Sequence, residues 1–170
     1  MALFKSIETL DDLFVGTLKT TYYAEKQITD ALDTMIGKAN NPELRAGFAE
    51  HRLETENQIR RLEEVFRMHG TKPDAEKCPA IDGIIKAGDS NAGDISDQDV
   101  LDAALIAAAQ MVEHYEIAQY GTLIAWAEEL GRSDCAQLLE ETLEEEKATD
   151  QKLTRLAETR INRNAERQNA

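Results

Sequence analysis

Proline, aromatic residues and paired cysteines are scarce in this chain, and each scarcity removes a class of structure. Only 3 prolines and 5% aromatic residues accompany an abundance of Ala, Leu, Glu, Lys, Gln and Arg, a composition that favours helices over sheets. Cys78 and Cys135 stand alone, not as C-x-x-C. That argues against a zinc ribbon or a rubredoxin-type iron site and makes two reduced, at least half-buried thiols the expectation. No stretch of about 18 apolar residues occurs, and the start, MALFKSIETLDD, has no apolar core of signal-peptide length. A cytoplasmic protein that spans no membrane is expected. Positive charge is short as well: the net charge is -14, the pI is near 4.6, and no Lys/Arg patch offsets it. Such a surface repels phosphate backbones and anionic lipid, so no nucleic-acid or membrane partner is expected.

What remains is enough for one core. A chain of 170 residues with 42% hydrophobic residues can bury a sizeable interior, and its length suits a single domain over residues 1–170. The expected fold class is all-α, with helices at about 10–39, 42–69, 97–130 and 133–163. Thr9-Leu10-Asp11-Asp12 forms a box-like start for the first helix, and its inward stripe is Leu10, Phe14, Leu18, Thr21, Glu25, Ile28, Leu32 and Met35, at helical spacing. Asn41 caps the second helix and Pro42 occupies its first position, where no amide partner is lost. Its stripe, Leu44, Phe48, His51, Thr55, Gln58, Leu62 and Val65, is polar in the middle, with Glu54 on its edge.

Between residues 70 and 96 the periodicity lapses under Pro73, Pro79, Gly83, Gly88 and Gly93, with one short helix expected around AIDGIIKA. An extended chain covers about 3.3 Å per residue, so this crossover can run the length of the bundle and return the third long helix parallel to the second. Ser96 is expected to cap that helix and Gly131 to stop it. It carries an inward stripe of Ile106, Ala109, Glu113, Glu116, Tyr120, Leu123, Ala127 and Leu130. A second stripe runs through Leu101, Ala104, Ala108, Met111, Tyr115, Ala118 and Trp126. An all-round apolar helix is covered on two sides, and a partner subunit is one candidate for the second cover, with Trp126 as a possible anchor. Ser133 is expected to cap the fourth helix, whose stripe is Cys135, Leu139, Thr142, Glu146, Thr149, Leu153 and Leu156.

The stripes are interrupted at matching heights. Taking the first turn at residue 40, Glu25 precedes it by nearly the same distance that Glu54 follows it, with His51 one turn nearer. Taking the second turn at residue 131, Glu116 and Glu146 are equidistant on either side, with Glu113 and Asp150 a turn farther out. Five glutamates and a histidine at one depth would be prohibitively repulsive as bare ions. No inward lysine or arginine balances them. A pair of divalent cations does, and carboxylate plus imidazole ligation suits iron or manganese better than zinc. The candidate ligands are therefore Glu25, His51, Glu54, Glu113, Glu116 and Glu146. His114 points about 100° away from Glu113 on an ideal helix and is assigned to structure or an interface. Glu140, Glu141, Glu144 and Glu145 read as solvated, and Tyr120 lies close enough to the polar layer to support it.

The segments YYAEKQITDAL, HRLETENQIRRLEEVF, DAALIAAAQMVEHYEIAQYGTLIAWAEELG and LLEETLEEEKATDQKLTRLA together resemble the YciF-type stress proteins of the ferritin-like superfamily. The resemblance covers most of residues 10–158. It implies a ferritin-like four-helix bundle with a long crossover between helices 2 and 3, a tendency to form homodimers, and a dinuclear metal site similar to that of rubrerythrin. By position, Glu25, Glu113 with Glu116, and Glu146 match that pattern. Helix 2 departs from it with His51-x-x-Glu54 in place of Glu-x-x-His, and helix 4 offers Thr149 or Asp150 where a second histidine is expected. The expected function is a stress-response protein with a dinuclear iron or manganese centre that reacts with peroxide or oxygen. With no C-x-x-C electron donor in the sequence, turnover needs an external reductant. The alternative is a non-catalytic helical dimer in which an ion, or a protonated polar layer, is structural.

Overall fold

The structure, a computed structural model, describes residues 7–167. Residues 1–6 and 168–170, which the expected single domain includes and which hold half of the segment read for a signal peptide, lie outside the described residues. The elements are α1 (Leu10–Lys38), α2 (Pro42–Met68), α3 (Pro79–Gly93), α4 (Gln98–Glu129), α5 (Ser133–Leu156), a π-helical turn (Ala157–Ile161) and α6 (Asn162–Arg167). The fold class is all-α, with no strand among the described residues.

Local chemistry sets the helix ends. The Thr9 hydroxyl accepts from the Asp12 amide at 3.0 Å while the Asp12 carboxylate accepts from the Thr9 amide at 3.2 Å, a reciprocal capping box at the start of α1. The Asn41 side chain caps α2, accepting from the Glu43 and Leu44 amides. Gly70 and Gly131 adopt positive φ values of 78° and 71°, the left-handed conformation that glycine takes without a Cβ penalty. Each closes a Schellman turn, with Thr71 donating to Phe66 and Arg132 donating to Ala127.

Two expected caps are corrected. Asp97, not Ser96, caps α4, its carboxylate accepting from the Asp99 and Val100 amides at 3.0 Å each. Serine and aspartate are near-equal caps, and an anion also suits the positive helix end. Ser133 is already the first residue of α5; the turn after Gly131 makes Arg132 the flanking residue, and the Ser133 hydroxyl donates to Glu128 instead. The fourth long helix is also not uniform, since the π turn interrupts it and sets Ala157 and Ile161 inward together.

Contacts at the two ends of the bundle give the topology. Asp102, fully buried near the start of α4, accepts from the Asn40 and Asn41 amides at 2.8 Å each, at the start of α2. Arg132, just past the end of α4, donates to the Met68 carbonyl at 2.7 Å, at the end of α2. Helices α2 and α4 therefore run parallel, as the long crossover requires, while the α1/α2 and α4/α5 pairs are antiparallel hairpins. The crossover lies along α1: Glu76 donates to the Lys19 carbonyl at 3.2 Å, and the Tyr23 hydroxyl donates to Asp82 at 2.9 Å.

The crossover helix is longer than AIDGIIKA, because Gly83 and Gly88 do not break it. At Gly88 a Cβ would lie 2.9 Å from the Ala108 Cβ, so the missing side chain lets α3 lie directly on α4. That contact covers part of the second α4 stripe within the same chain, with Ile84, Ile85 and Ala92 of α3 packed against Leu105 and its neighbours, while Met111 and Ala118 of the stripe stay exposed.

Two apolar clusters fill the bundle. One gathers Phe14, Leu18, Leu62, Phe66, Leu123, Cys135 and Leu139 around the α2/α4 C-terminal end. The other gathers Ile28, Leu32, Leu44, Phe48, Ile81, Ile106 and Leu153 around the opposite end. Between them lies a slab of buried polar side chains.

Candidate metal centre

The slab is built by all four long helices. Glu25 from α1 is 0% exposed, His51 from α2 is 2%, Glu113 and Glu116 from α4 are 1% each, and Glu146 from α5 is 0%. His51, Glu113, Glu116 and Glu146 each offer a ligand atom within 4.8 Å of the others. The His51 Nε2 lies 3.3 Å from Glu113 Oε1 and 3.8 Å from Glu146 Oε2. Glu25 adjoins this group, held by a hydrogen bond from the Tyr120 hydroxyl to its Oε1.

Carboxylates dehydrated at such close quarters resist ionisation. Burial, offset in part by the Tyr120 hydroxyl, pushes Glu25 up to about 7. Glu116 is raised well above the ordinary carboxylate value by burial and by the charges of Glu146, Glu25 and Glu113. Glu146 is likewise raised by burial, against the pull of His51. Burial opposes a charge on His51, yet Glu113, Glu54 and Glu146 outweigh it and raise the imidazole well above its usual value.

Six of the buried atoms without a hydrogen-bond partner belong to these side chains. His51 Nε2, Glu25 Oε2, Glu113 Oε2, Glu146 Oε2 and both oxygens of Glu116 are buried without a hydrogen-bond partner. In three of the four groups with a single open atom the other polar atom is engaged by hydrogen bonding: Tyr120 holds Glu25 Oε1, the Gln58 amide donates to Glu146 Oε1, and His51 Nδ1 contacts Glu54 Oε2 at 3.3 Å. Buried polar atoms left open in one direction are costly unless something fills that direction. A hard, oxygen- and imidazole-seeking cation fits the donor set.

The comparisons with known proteins agree with this architecture. Residues 9–166 match the family described as a domain of unknown function, DUF892. Protein YciF of Escherichia coli (strain K12) is 46% identical over 162 residues, covering 95% of this chain and 98% of the relative. The chain belongs to the DUF892 family of YciF-like proteins. The crystal structure of the E. coli stress protein YciF superposes with a TM-score of 0.87 over 92% of this chain and 99% of that one. YcfI of Rhodopseudomonas palustris, 53% identical, gives 0.87 over 89% and 97%. A two-domain Anabaena variabilis protein with a ferritin-like domain, 21% identical, shares the fold at a TM-score of 0.61 over 91% of this chain and 38% of its own. The DUF892 chain is thus ferritin-like in fold.

Within this DUF892 chain the six residues read as ligands fall into three positions. His51, Glu113, Glu116 and Glu146 form the close group. Glu25 stands beside it against Tyr120. Glu54, whose side chain is 34% exposed, stands on the far side of the imidazole, where with Thr149 at 3.4 Å it serves Nδ1. Of the two residues offered for a missing second histidine, Thr149 faces His51. Asp150 points outward, accepting from Gln110 at 3.0 Å and lying 3.3 Å from His114. His114 is exposed, as its helical angle implied.

Gln58 was not singled out as a site residue. It is fully buried, donates to Glu146, and donates at 3.1 Å to Glu145, which Arg61 clamps at 2.6 Å through two nitrogens. Its signal was present, a polar side chain two turns beyond His51 on the inward stripe. Both cysteines are free and buried. No helix among the described residues is long and apolar enough to cross a membrane.

Proposed function

We propose that this chain is a stress-response protein whose polar layer holds a dinuclear metal centre, iron or manganese, and that the centre reacts with peroxide or oxygen. The observation that carries the reading is the convergence of six partnerless buried atoms from Glu25, His51, Glu113, Glu116 and Glu146 on one depth of the bundle. Two divalent ions offset four carboxylate charges, which burial otherwise forbids. A bound iron pair would supply the electrons for reducing peroxide or oxygen.

The chain's own residues prepare that site. Glu54 and Thr149 hold His51 from Nδ1 and aim Nε2 inward, the outer support that orients ligating imidazoles. Gln58 and Tyr120 each fix one oxygen of a glutamate and leave the second open. The two apolar clusters flank the layer on either side. The E. coli relative's description as a stress protein supports the physiological setting. We expect a cytoplasmic homodimer supplied by an external reductant.

The test is metal content together with ferrous-iron oxidation by peroxide. Two metal ions per chain and a wild-type rate well above that of the Glu113→Ala/Glu146→Ala protein are expected. A wild-type rate no higher than the double variant's defeats the enzymatic reading. A second reading is favoured by one observation: Tyr120 and Gln58 already hydrogen-bond two of the carboxylates, and a protonated His51 beside Glu113 offsets one negative charge. In that case the ion, or a protonated layer, is structural, and chelation shifts melting with no turnover to lose.

A further inference from the structure

A cavity of about 320 Å³ opens between α2 and α5 and ends at the metal-centre residues. Its floor is His51, Glu113 and Thr149. Its walls are the buried side chains of Leu44, Phe48, Leu153 and Leu156. At its mouth stand the exposed residues Glu43, Lys152, Arg155 and Thr159, the last carried by the π turn. From Glu43 to His51 is about 12 Å along α2 at 1.5 Å per residue. The volume lies at the small end of pockets that hold organic ligands.

Charge at the mouth departs from that of the whole molecule. On a chain of net charge -14, Lys152, Arg155 and Arg160 gather there against Glu43 and Glu50. Arg160 pairs with Glu43 at 3.2 Å and Lys152 pairs with Glu50, while Arg155 has no ion-pair partner among the described residues. Gly47 keeps the wall open. It sits inside α2, where glycine is a poor helix former, its φ is not positive, and a Cβ there would meet only the Lys152 Cε at 4.0 Å. Neither the backbone nor close packing demands glycine at this position, and a long side chain there, unlike a methyl, would project into the space that Gly47 lines.

We propose that this cavity binds a short unbranched alkyl chain with a carboxylate at its outer end and a hydroperoxide at its inner end. The carboxylate meets the unpaired Arg155 guanidinium, the chain lies along Leu44, Phe48, Leu153 and Leu156, and the hydroperoxide reaches the polar floor beside His51 and Glu113. The hydroperoxide end rests on the metal-centre reading above; the carboxylate and the chain rest on the cavity alone.

Calorimetry on the full-length, metal-free protein separates the two. Octanoate is expected to bind saturably at one site per chain, and octyltrimethylammonium is expected not to bind. Arg155→Glu should weaken octanoate about 10-fold or more. Gly47→Leu should abolish saturable binding while melting at or above the wild-type temperature, because it fills space and improves the helix. No octanoate binding, binding indifferent to Gly47→Leu, or equal binding of the cation overturns the proposal. In iron-loaded protein, Gly47→Leu should slow oxidation by 8-hydroperoxyoctanoate but not by hydrogen peroxide; equal effects on both overturn the hydroperoxide end. If octanoate fails to bind while hydrogen peroxide still oxidises the iron, the cavity assignment alone falls. If octanoate binds but neither peroxide reacts, the metal-centre reading falls and takes only the hydroperoxide end with it.

Discussion

The mid-bundle slab and the apolar cluster beneath it sit in one interior, a few helical turns apart, and obey opposite rules. Phe14, Leu18, Leu62 and Phe66 are each 0% exposed and gain from every neighbour they touch. Glu25 and Glu146, equally buried, are penalised by their neighbours, since burial and other carboxylates raise the cost of ionising each one. The first region stabilises the bundle outright. The second stabilises it only when protonated or when a cation is present, so the slab is where conditions control stability.

The largest effect expected is in the apolar cluster. Phe66→Ala should lower the unfolding free energy by about 3–5 kcal/mol, read as a shift in denaturant midpoint, whether or not metal is present. Next comes pH. Glu25 moves from 4.5 to about 7 on folding, so the folded state binds the extra proton between those values and its stability falls as pH rises through that window. Glu116, Glu146 and His51, all raised, extend the fall upward. The metal-free protein should therefore lose on the order of 3 kcal/mol or more between pH 4.5 and 8, measured by melting in chelator. Metal should abolish that loss, with protons released on binding.

Smaller effects sharpen the contrast. Tyr120→Phe removes the one hydroxyl that holds Glu25 and should cost about 1–2 kcal/mol in metal-free protein above pH 7. Gly88→Ala drives a Cβ to 2.9 Å from that of Ala108. Overpacking outweighs the gain in helix propensity, for a net loss of about 1 kcal/mol independent of pH and metal. Smallest is Thr9→Ala, which breaks an exposed capping box and should cost at most about 1 kcal/mol.

Much of this was legible in the sequence because its signals are periodic. A charged residue in an otherwise apolar stripe declares its own direction, which is why Glu25, Glu113, Glu116 and Glu146 were located by spacing and lie buried at one level. What spacing does not carry is rotation about a side chain. Both nitrogens of His51 are equivalent in sequence, and only packing shows Nε2 facing Glu113 while Nδ1 faces Glu54. Glu54 sits only one turn beyond His51 and ends on the outer side of the ring. The cover for part of the second α4 stripe was hidden because Gly88 reads as a helix breaker, whereas here it is a contact surface. Ser96 yields its expected capping role to Asp97, an adjacent residue of similar propensity, whereas the turn after Gly131 places Ser133 inside α5 and leaves Arg132 at the cap position with no side-chain cap bond.

The central claim is that the slab is a cation site with two ions. Anomalous-scattering maps from crystals of protein grown with iron test it most directly. The account predicts two adjacent peaks within ligand distance of His51 Nε2 and the open oxygens of Glu25, Glu113, Glu116 and Glu146. A slab with no anomalous peak, its glutamates hydrogen-bonded to one another while iron sits only on surface carboxylates, would contradict it.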